Sequence, residues 1–247
     1  MMAGPRDVPQ LSVVIPVYNE AGVIGRTIET IGRYLTEAGL PHEILVVDDG
    51  STDRTAELVQ AASARYPTVR LVPSGHQGKG GAVKQGMLAA RGAVRLFLDA
   101  DLSTDIREWT KCAPWFDEGV HIVIGSRKMT GAQVTVHQPF LREAMGKVFT
   151  RLTNMILGAR VSDITCGFKA FTAEAASRIF PLQRITGWGF DAEILFIARR
   201  LGYEIKEVPV VWADDASTKV RLLRDAVRSL RELLAIRIGG WTGRYSA

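Results

Sequence analysis

Two carboxylates one residue apart, Asp99 and Asp101, close the apolar run Leu96–Phe97–Leu98 in the stretch RLFLDADLST. Glu20 follows the run LSVVIPVYN, and Asp48 and Asp49 close EILVV. Each acidic group therefore stands at the end of an apolar run of strand length. A single Asp in such a place serves a turn or a helix cap. Five carboxylates on one rim repel one another unless something positive sits among them. A divalent cation bound together with a phosphate-bearing substrate meets that need. Lys79, between Gly78 and Gly80, has the reach and charge for a phosphate, with glycines that let backbone approach closely; the plainer reading is a solvated loop charge.

The elements that must position these residues alternate. LSVVIPV (Leu11 to Val17) reads as a buried strand, and a helix follows from Asn19 and Glu20 to about Ala38, with Val23, Ile24, Ile28, Ile31 and Leu35 at helical spacing. EILVVDD is a second strand, and Ser51 is placed to cap the helix running to about Arg65. TVRLVPS is a third strand, GGAVKQGMLAARG a helix and AVRLFLDAD a fourth strand. Helices between buried strands predict βαβ units, an α/β fold with a mostly parallel sheet, and ligands at the carboxyl ends of its strands. Beyond Asp101 come a helix over about 106–116, the strand HIVIGSR, the polar loop KMTGAQVTVHQP and a helix from Phe140 to Leu157. A helix in FDAEILFIARRLG and a strand in EIKEVPVVW follow.

The chain has 247 residues, 47% hydrophobic and 23% charged, enough for a substantial core. Two cysteines, Cys112 and Cys166, are too few for a disulfide framework and read as buried free thiols. No apolar run approaches the ~20 residues of a membrane span, and residues 1–10 read as a loose polar leader without the apolar core of a signal peptide. The expectation is a cytoplasmic protein. The net charge of +5 lies entirely in the tail, where seven basic residues from Lys219 to Arg244 face two acidic ones. Val220, Leu223, Val227, Leu230, Leu234 and Ile238 repeat there at helical spacing. A basic amphipathic helix of this kind lies in a membrane interface or docks on the domain by its apolar side. The resulting division is a leader over 1–10, one catalytic domain over 11–215 and the helix over 216–247. Nucleic-acid binding would account for the tail but not for the acidic crevice, so no nucleic-acid partner is expected.

VVIPVYNE, VVDDGSTDRT, GKGGAVKQG and FLDADLST, in that order, resemble the nucleotide-sugar half of a family 2 glycosyltransferase of the GT-A fold. VIGSR, DITCGFKAFT, GWGFDAEILFIARRLGYEIKEVPVVW and the late STK resemble the dolichyl- and polyprenyl-phosphate sugar transferases, above all the dolichyl-phosphate glucosyltransferase branch. The resemblance runs from about Leu11 to Ile238. It implies Mg²⁺ or Mn²⁺ on Asp101, assisted by Asp99, bridging the donor diphosphate. It implies a nucleotide pocket lined by Pro16, Val17, Tyr18, Glu20, Asp48, Asp49, Ser51, Lys79, Gly80, Asp99 and Ala100. It also implies a lipid phosphate held by Arg127 and Arg142, whose planar forks suit that group, with an internal salt bridge as the alternative for each.

Asp191, with Glu193 at a helix start, would border the acceptor side and joins Asp99 and Asp101 among the catalytic candidates. Asp163 and Gly167 would shape the sugar pocket, and Trp188 would stack on the sugar or sit in the core. The implied enzyme is inverting and metal-dependent, moving glucose from UDP-glucose to a polyprenyl phosphate as a peripheral protein on the cytoplasmic face of a membrane. Mannosyl transfer from GDP-mannose is the nearest alternative. Sugar transfer to a non-lipid acceptor and a catalytically silent binding module are more distant. Nothing in the sequence indicates an oligomeric state.

Overall fold

The computed structural model describes residues 8–136, 140–214 and 222–245, with the backbone alone for 140–143 and 222–227. The first strand, β1 (Leu11–Val17), shows why the fold is layered. Leu11, Val13, Ile15 and Val17 face one apolar layer while Val14 faces the other, and all are buried. β2 (His42–Asp48) divides in the same way, with Ile44 and Val46 on one side and Leu45 and Val47 on the other. Strands buried on both faces need helices on both faces, as parallel sheets do.

β1 pairs in parallel with β2, β2 with β3 (Val69–Pro73), and β1 with β4 (Val94–Phe97). The seven-stranded order is β3-β2-β1-β4-β7-β5-β8, with β5 at Ile122–Ser126, β7 at Lys169–Thr172 and β8 at Ile205–Pro209. The sheet is mostly parallel, as expected, with β7 antiparallel between β4 and β5. Register puts Val17 opposite Asp48 and Asp48 opposite Pro73, so the carboxyl ends of the first strands share one rim.

The helices close the layers. α1 (Ile24–Glu37) buries Ile24, Ile28, Ile31 and Leu35, each side chain contributing about 1.5–3 kcal/mol. α2 (Thr55–Arg65) and α4 (Trp109–Asp117) share that side, while α3 (Lys79–Ala89), α6 (Ala173–Ile179) and α7 (Phe190–Arg200) feed the other. α5 (Phe140–Leu157) and α8 (Leu222–Trp241) pack on one another and on α7. Leu233 and Ile236 of α8 are fully buried, so the tail helix is docked on the body of the protein. Among the described residues no helix is long and apolar enough to cross a membrane.

Several expected boundaries move. α1 starts at Ile24 rather than Asn19, because Asn19 has φ 55 and its side-chain carbonyl accepts from Thr52 and Asp53 N–H. Ser51 does not cap α2; its hydroxyl donates to Asp48, while Asp53 accepts from the Thr55 N–H at the helix start. The loop after β5 contains β6 (Gln133–Val136), which pairs with β9 (Val211–Ala213). Both cysteines are buried free thiols, pushed up to about 12 and about 11 by burial.

Candidate active site

The rim is built from loops that tie one another in place. Asp48 accepts from Ser51 N (3.1 Å) and Ser51 Oγ (2.5 Å), and Ser51 Oγ accepts from Asn19 N (2.9 Å). Asp49 accepts from Gln77 N (2.6 Å) and Gly78 N (2.8 Å). Both aspartates are nearly closed to solvent, at 9% and 4% exposure. They set the shape of the crevice. Pro16 and Val17 lead into it, Tyr18 is exposed on it, Glu20 is half-buried, and Ala100 is buried beneath it.

Asp99 and Asp101 follow β4 on this rim. Lys79 Nζ donates to Asp99 Oδ1 at 2.5 Å. Asp101 Oδ1 accepts from Ser103 N at 2.8 Å, with no protein cation bonded to it among the described residues. Thin hydration in the concave rim, and then the charge of Asp99, push its carboxyl upward against Ser103 and Lys79. Gly167 makes room for Asp99. A Cβ there would lie 2.5 Å from Asp99 Cγ and closer still to Oδ2.

The premise of five uncompensated carboxylates is corrected here. Backbone N–H groups hold Asp48 and Asp49, and Lys79 neutralises Asp99. Of the four aspartates, what remains for a cation is Asp101 with the second oxygen of Asp99. Among the described residues no three His, Cys, Asp or Glu gather into a cage. Two carboxylates suit Mg²⁺ or Mn²⁺ that takes its other ligands from water and substrate phosphates, so the residues fit such an ion.

The glycines around Lys79 have another task than the one expected. Gly78 has φ 95 and would place a Cβ 2.7 Å from Thr186 O. At Gly80 a Cβ would lie 2.6 Å from Phe190 Cβ, and its N–H already donates to Thr186 O at 2.8 Å. They let α3 pack against the 185–190 turn. That turn brings Trp188, 41% exposed, over Lys79, with Nζ 5.6 Å from the ring centroid. Glu232 of α8 accepts from Gly189 N at 2.8 Å and so holds the turn from the other side.

Asp191 is 6% exposed and bonded to Lys169, which is fully buried and also donates to Cys166 O at 2.6 Å. Burial pushes the Asp191 carboxyl up more strongly than Lys169 and Lys79 draw it down. Burial would lower the Lys79 ammonium, but Asp99 and then Asp191 raise it overall. Lys169, Asp191, Lys79 and Asp99 thus alternate in sign from the core to the rim. Asp191, one of the catalytic candidates, is thus a buried carboxyl bonded to the buried Lys169 ammonium, with the charge of Lys79 beyond it.

Arg127, after β5, is gripped by a neighbour. Its Nε and Nη2 donate to Asp163 at 2.6 and 2.8 Å, and Nη2 also to Thr165 Oγ1 at 2.9 Å. Its plane lies over Trp212, 5.1 Å from the centroid. Burial alone would push the Asp163 carboxyl up, but the hydrogen bonds and charge of Arg127, with Lys128 behind, bring it down to about 2. Asp163 therefore positions Arg127. Nη1 has no hydrogen-bond partner among the described residues, and Arg127 still feels the charge of Asp99. Lys128 adds a net positive charge beside this neutral pair, donating to Thr150 Oγ1 of α5 at 2.9 Å. Arg142 falls on α5, and its side chain lies outside the described residues.

Lys169, Lys128 and Thr165 went unnoticed at the level of sequence. A lysine inside GFKAF, where a buried strand residue belongs, was the available signal for the first.

A model described as Glycosyl transferase family 2 matches residues 12–180. Dolichyl-phosphate beta-glucosyltransferase of Dictyostelium discoideum is 32% identical over 246 residues, 94% of this chain and 75% of the relative. The Saccharomyces cerevisiae protein of the same name is 34% identical over 255 residues, with 95% and 76% covered. Mannosyl-3-phosphoglycerate synthase from Rubrobacter xylanophilus superposes with TM-score 0.70 at 21% identity, over 97% of this chain and 76% of that one. Glucosyl-3-phosphoglycerate synthase from Mycobacterium tuberculosis, in complex with Mn²⁺, UDP and phosphoglyceric acid, gives 0.67 at 22%, over 96% and 79%. These two structures share the GT-A fold. With strands, rim and relatives in agreement, the chain belongs to glycosyl transferase family 2 and is a glycosyltransferase.

Proposed function

We propose that the protein transfers glucose from UDP-glucose to a polyprenyl phosphate of the dolichyl type, with inversion at C1. The observation that carries this reading is the Asp99–Ala100–Asp101 rim with Lys79 against Asp99, in a chain whose relatives are named dolichyl-phosphate beta-glucosyltransferases. A β-linked product from an α-linked donor requires attack from the face opposite the leaving group. The acceptor phosphate oxygen forms a bond to C1 as the bond from C1 to the diphosphate breaks, and UDP leaves.

Asp101 and Asp99 would hold Mg²⁺ or Mn²⁺, which when bound supplies charge stabilisation for the departing diphosphate. Lys79 serves the same diphosphate once it turns from Asp99. The acceptor phosphate carries at least one negative charge at neutral pH, its second pKa being ~6, so it attacks without a strong general base. That agrees with Asp191 being locked below the site. Arg127, held by Asp163 and Thr165, offers Nη1 to the lipid phosphate, with Lys128 adding charge.

The lipid tail needs a bilayer. Val148 and Met155 on α5, and Leu230, Leu234, Ile238 and Trp241 on α8, are all exposed, with Arg151 and Arg231 on the same two helices also exposed. Two packed helices carrying apolar and basic residues outward suit an anionic membrane surface, on the cytoplasmic face where nucleotide sugars are made. This is a peripheral attachment.

The test is turnover of radiolabelled UDP-glucose and GDP-mannose with a short polyprenyl phosphate, with and without chelator. Glucosyl lipid formed from UDP-glucose, and lost on chelation, supports the proposal. Preference for GDP-mannose would transfer it to the mannosyl reaction.

A further inference from the structure

Glu193 lies in the first turn of α7 and is fully buried. A buried carboxylate is costly unless hydrogen bonds replace its water. Three do so here. Oε2 accepts from Arg184 N at 2.9 Å and from Ile185 N at 2.7 Å, and Oε1 accepts from Tyr245 Oη at 2.7 Å.

Tyr245 reaches Glu193 because the backbone turns inward after α8. Gly243 has φ 74, and Arg244 N donates to Gly239 O at 3.0 Å, a left-handed closure of the helix end. Gly239 and Gly240 then leave space for two rings. A Cβ at Gly239 would stand 3.0 Å from Tyr245 Cε2, and one at Gly240 would stand 2.6 Å from Phe196 Cζ. The Tyr245 ring packs edge-on against Phe196, 5.7 Å between centroids. Burial, and then the bond to Glu193, push the Tyr245 hydroxyl upward, so it stays a donor at neutral pH.

What Glu193 holds is the backbone that carries Lys79. Gln183 is 1% exposed, and its Nε2 donates to Gly80 O at 2.8 Å and to Ile185 O at 2.9 Å. Thr186 O accepts from Gly80 N at 2.8 Å. Both backbone polar groups of Gly80, the residue after Lys79, are therefore bonded to the 183–186 segment, and Glu193 fixes that segment. Hydrogen bonds thus lead from Tyr245 to the residue beside the lysine that meets Asp99.

We propose that Tyr245 and Glu193 are positioning residues for the transfer reaction, fixing the 184–186 backbone so that Lys79 stands where the donor diphosphate departs. The inference rests on the reading above that Lys79 serves that diphosphate. Glu232 of α8 already ties the Gly189 end of the same turn. Tyr245 supplies the second tie, at the end nearer Lys79.

Transfer of radiolabelled glucose from UDP-glucose to a short polyprenyl phosphate, with Mn²⁺ present, tests this on the full chain. The proteins compared are the wild type, Tyr245→Phe, Lys79→Ala and the double variant. Tyr245→Phe keeps the ring against Phe196 and removes the hydroxyl alone, so it is expected to fold, with a lower melting temperature. Its kcat is expected to fall about tenfold as a reacting group drifts from its place, with the acceptor KM within about twofold of wild type. In the Lys79→Ala background the same substitution is expected to change kcat by less than about twofold, because the group being positioned is gone. An unchanged kcat in Tyr245→Phe, an equal fall in both backgrounds, or a loss confined to the acceptor KM overturns the proposal and leaves the Lys79 reading standing. Wild-type turnover in Lys79→Ala alone overturns that reading, and this inference with it.

Discussion

Gly167→Ala separates the geometry of the site from the stability of the fold. Gly167 lies outside the left-handed region, so alanine suits its backbone. The added Cβ would stand 2.5 Å from Asp99 Cγ, more than 1 Å inside an ordinary carbon–carbon contact of about 3.5–4.0 Å. The Asp99 side chain is 33% exposed, so it has space to swing outward. Overpacking at a site with that freedom costs about 1 kcal/mol, the low end of the usual range. The carboxylate, however, leaves Lys79 and the metal position by about 1 Å, a displacement that lowers turnover about 10²-fold, or ~2.7 kcal/mol of transition-state stabilisation. The assay is glucosyl transfer from UDP-glucose at saturating acceptor, beside a thermal melt. In an Asp99→Ala background the alanine meets no carboxylate, so the second substitution should add little further loss. Wild-type turnover in Gly167→Ala, or the same loss in the Asp99→Ala background, would refute the reasoning.

Asp101→Ala should abolish transfer while leaving the melting temperature close to wild type, since Asp101 is exposed and, among the described residues, hydrogen-bonded to Ser103; a thermal melt beside the transfer assay checks both. Arg127→Ala should raise the acceptor KM more than the donor KM, and should lower stability by about 3 kcal/mol, the low end for breaking a buried pair, because Lys128 at 3.8 Å and the residue-127 N–H still face Asp163; equal change in both KM values would count against the acceptor role. Asp163 gives a pH signature: its folded value of about 2 lies below the usual value of 3.8, so its contribution is present above about pH 4 and lost as pH falls toward 2. It amounts to about 2 kcal/mol, and acid denaturation of Asp163→Asn should lack that component. Glu232→Ala should release the Gly189 N–H and the Trp188 turn, lowering kcat with donor affinity little changed.

The first hundred residues were legible because β1 and β2 are buried on both faces and α1 presents one apolar stripe. The carboxyl-end rim followed from the parallel order alone. β7 was not legible: it has four residues, begins with the charged Lys169, and becomes a strand only because β4 and β5 lie on either side of it. β6 likewise exists only by pairing with β9, 77 to 78 residues away. In the site, residue types indicated where charge collects but not what each charge meets. Lys79 against Asp99, Lys169 against Asp191 and Asp163 against Arg127 join residues 20, 22 and 36 positions apart, and no local spacing announces them. Gly78 and Gly80 have the composition of a phosphate loop, yet they serve helix packing, because a missing Cβ suits close backbone approach of either kind.

The most direct test of the account is Mn²⁺ binding followed by electron paramagnetic resonance, with and without UDP, in the wild type and in Asp101→Ala. Loss of the free-ion signal in the wild type when UDP is added, and its persistence in Asp101→Ala, is the predicted result. Equal binding by both proteins, or none by the wild type with UDP present, would contradict the placing of a metal and a diphosphate on this rim.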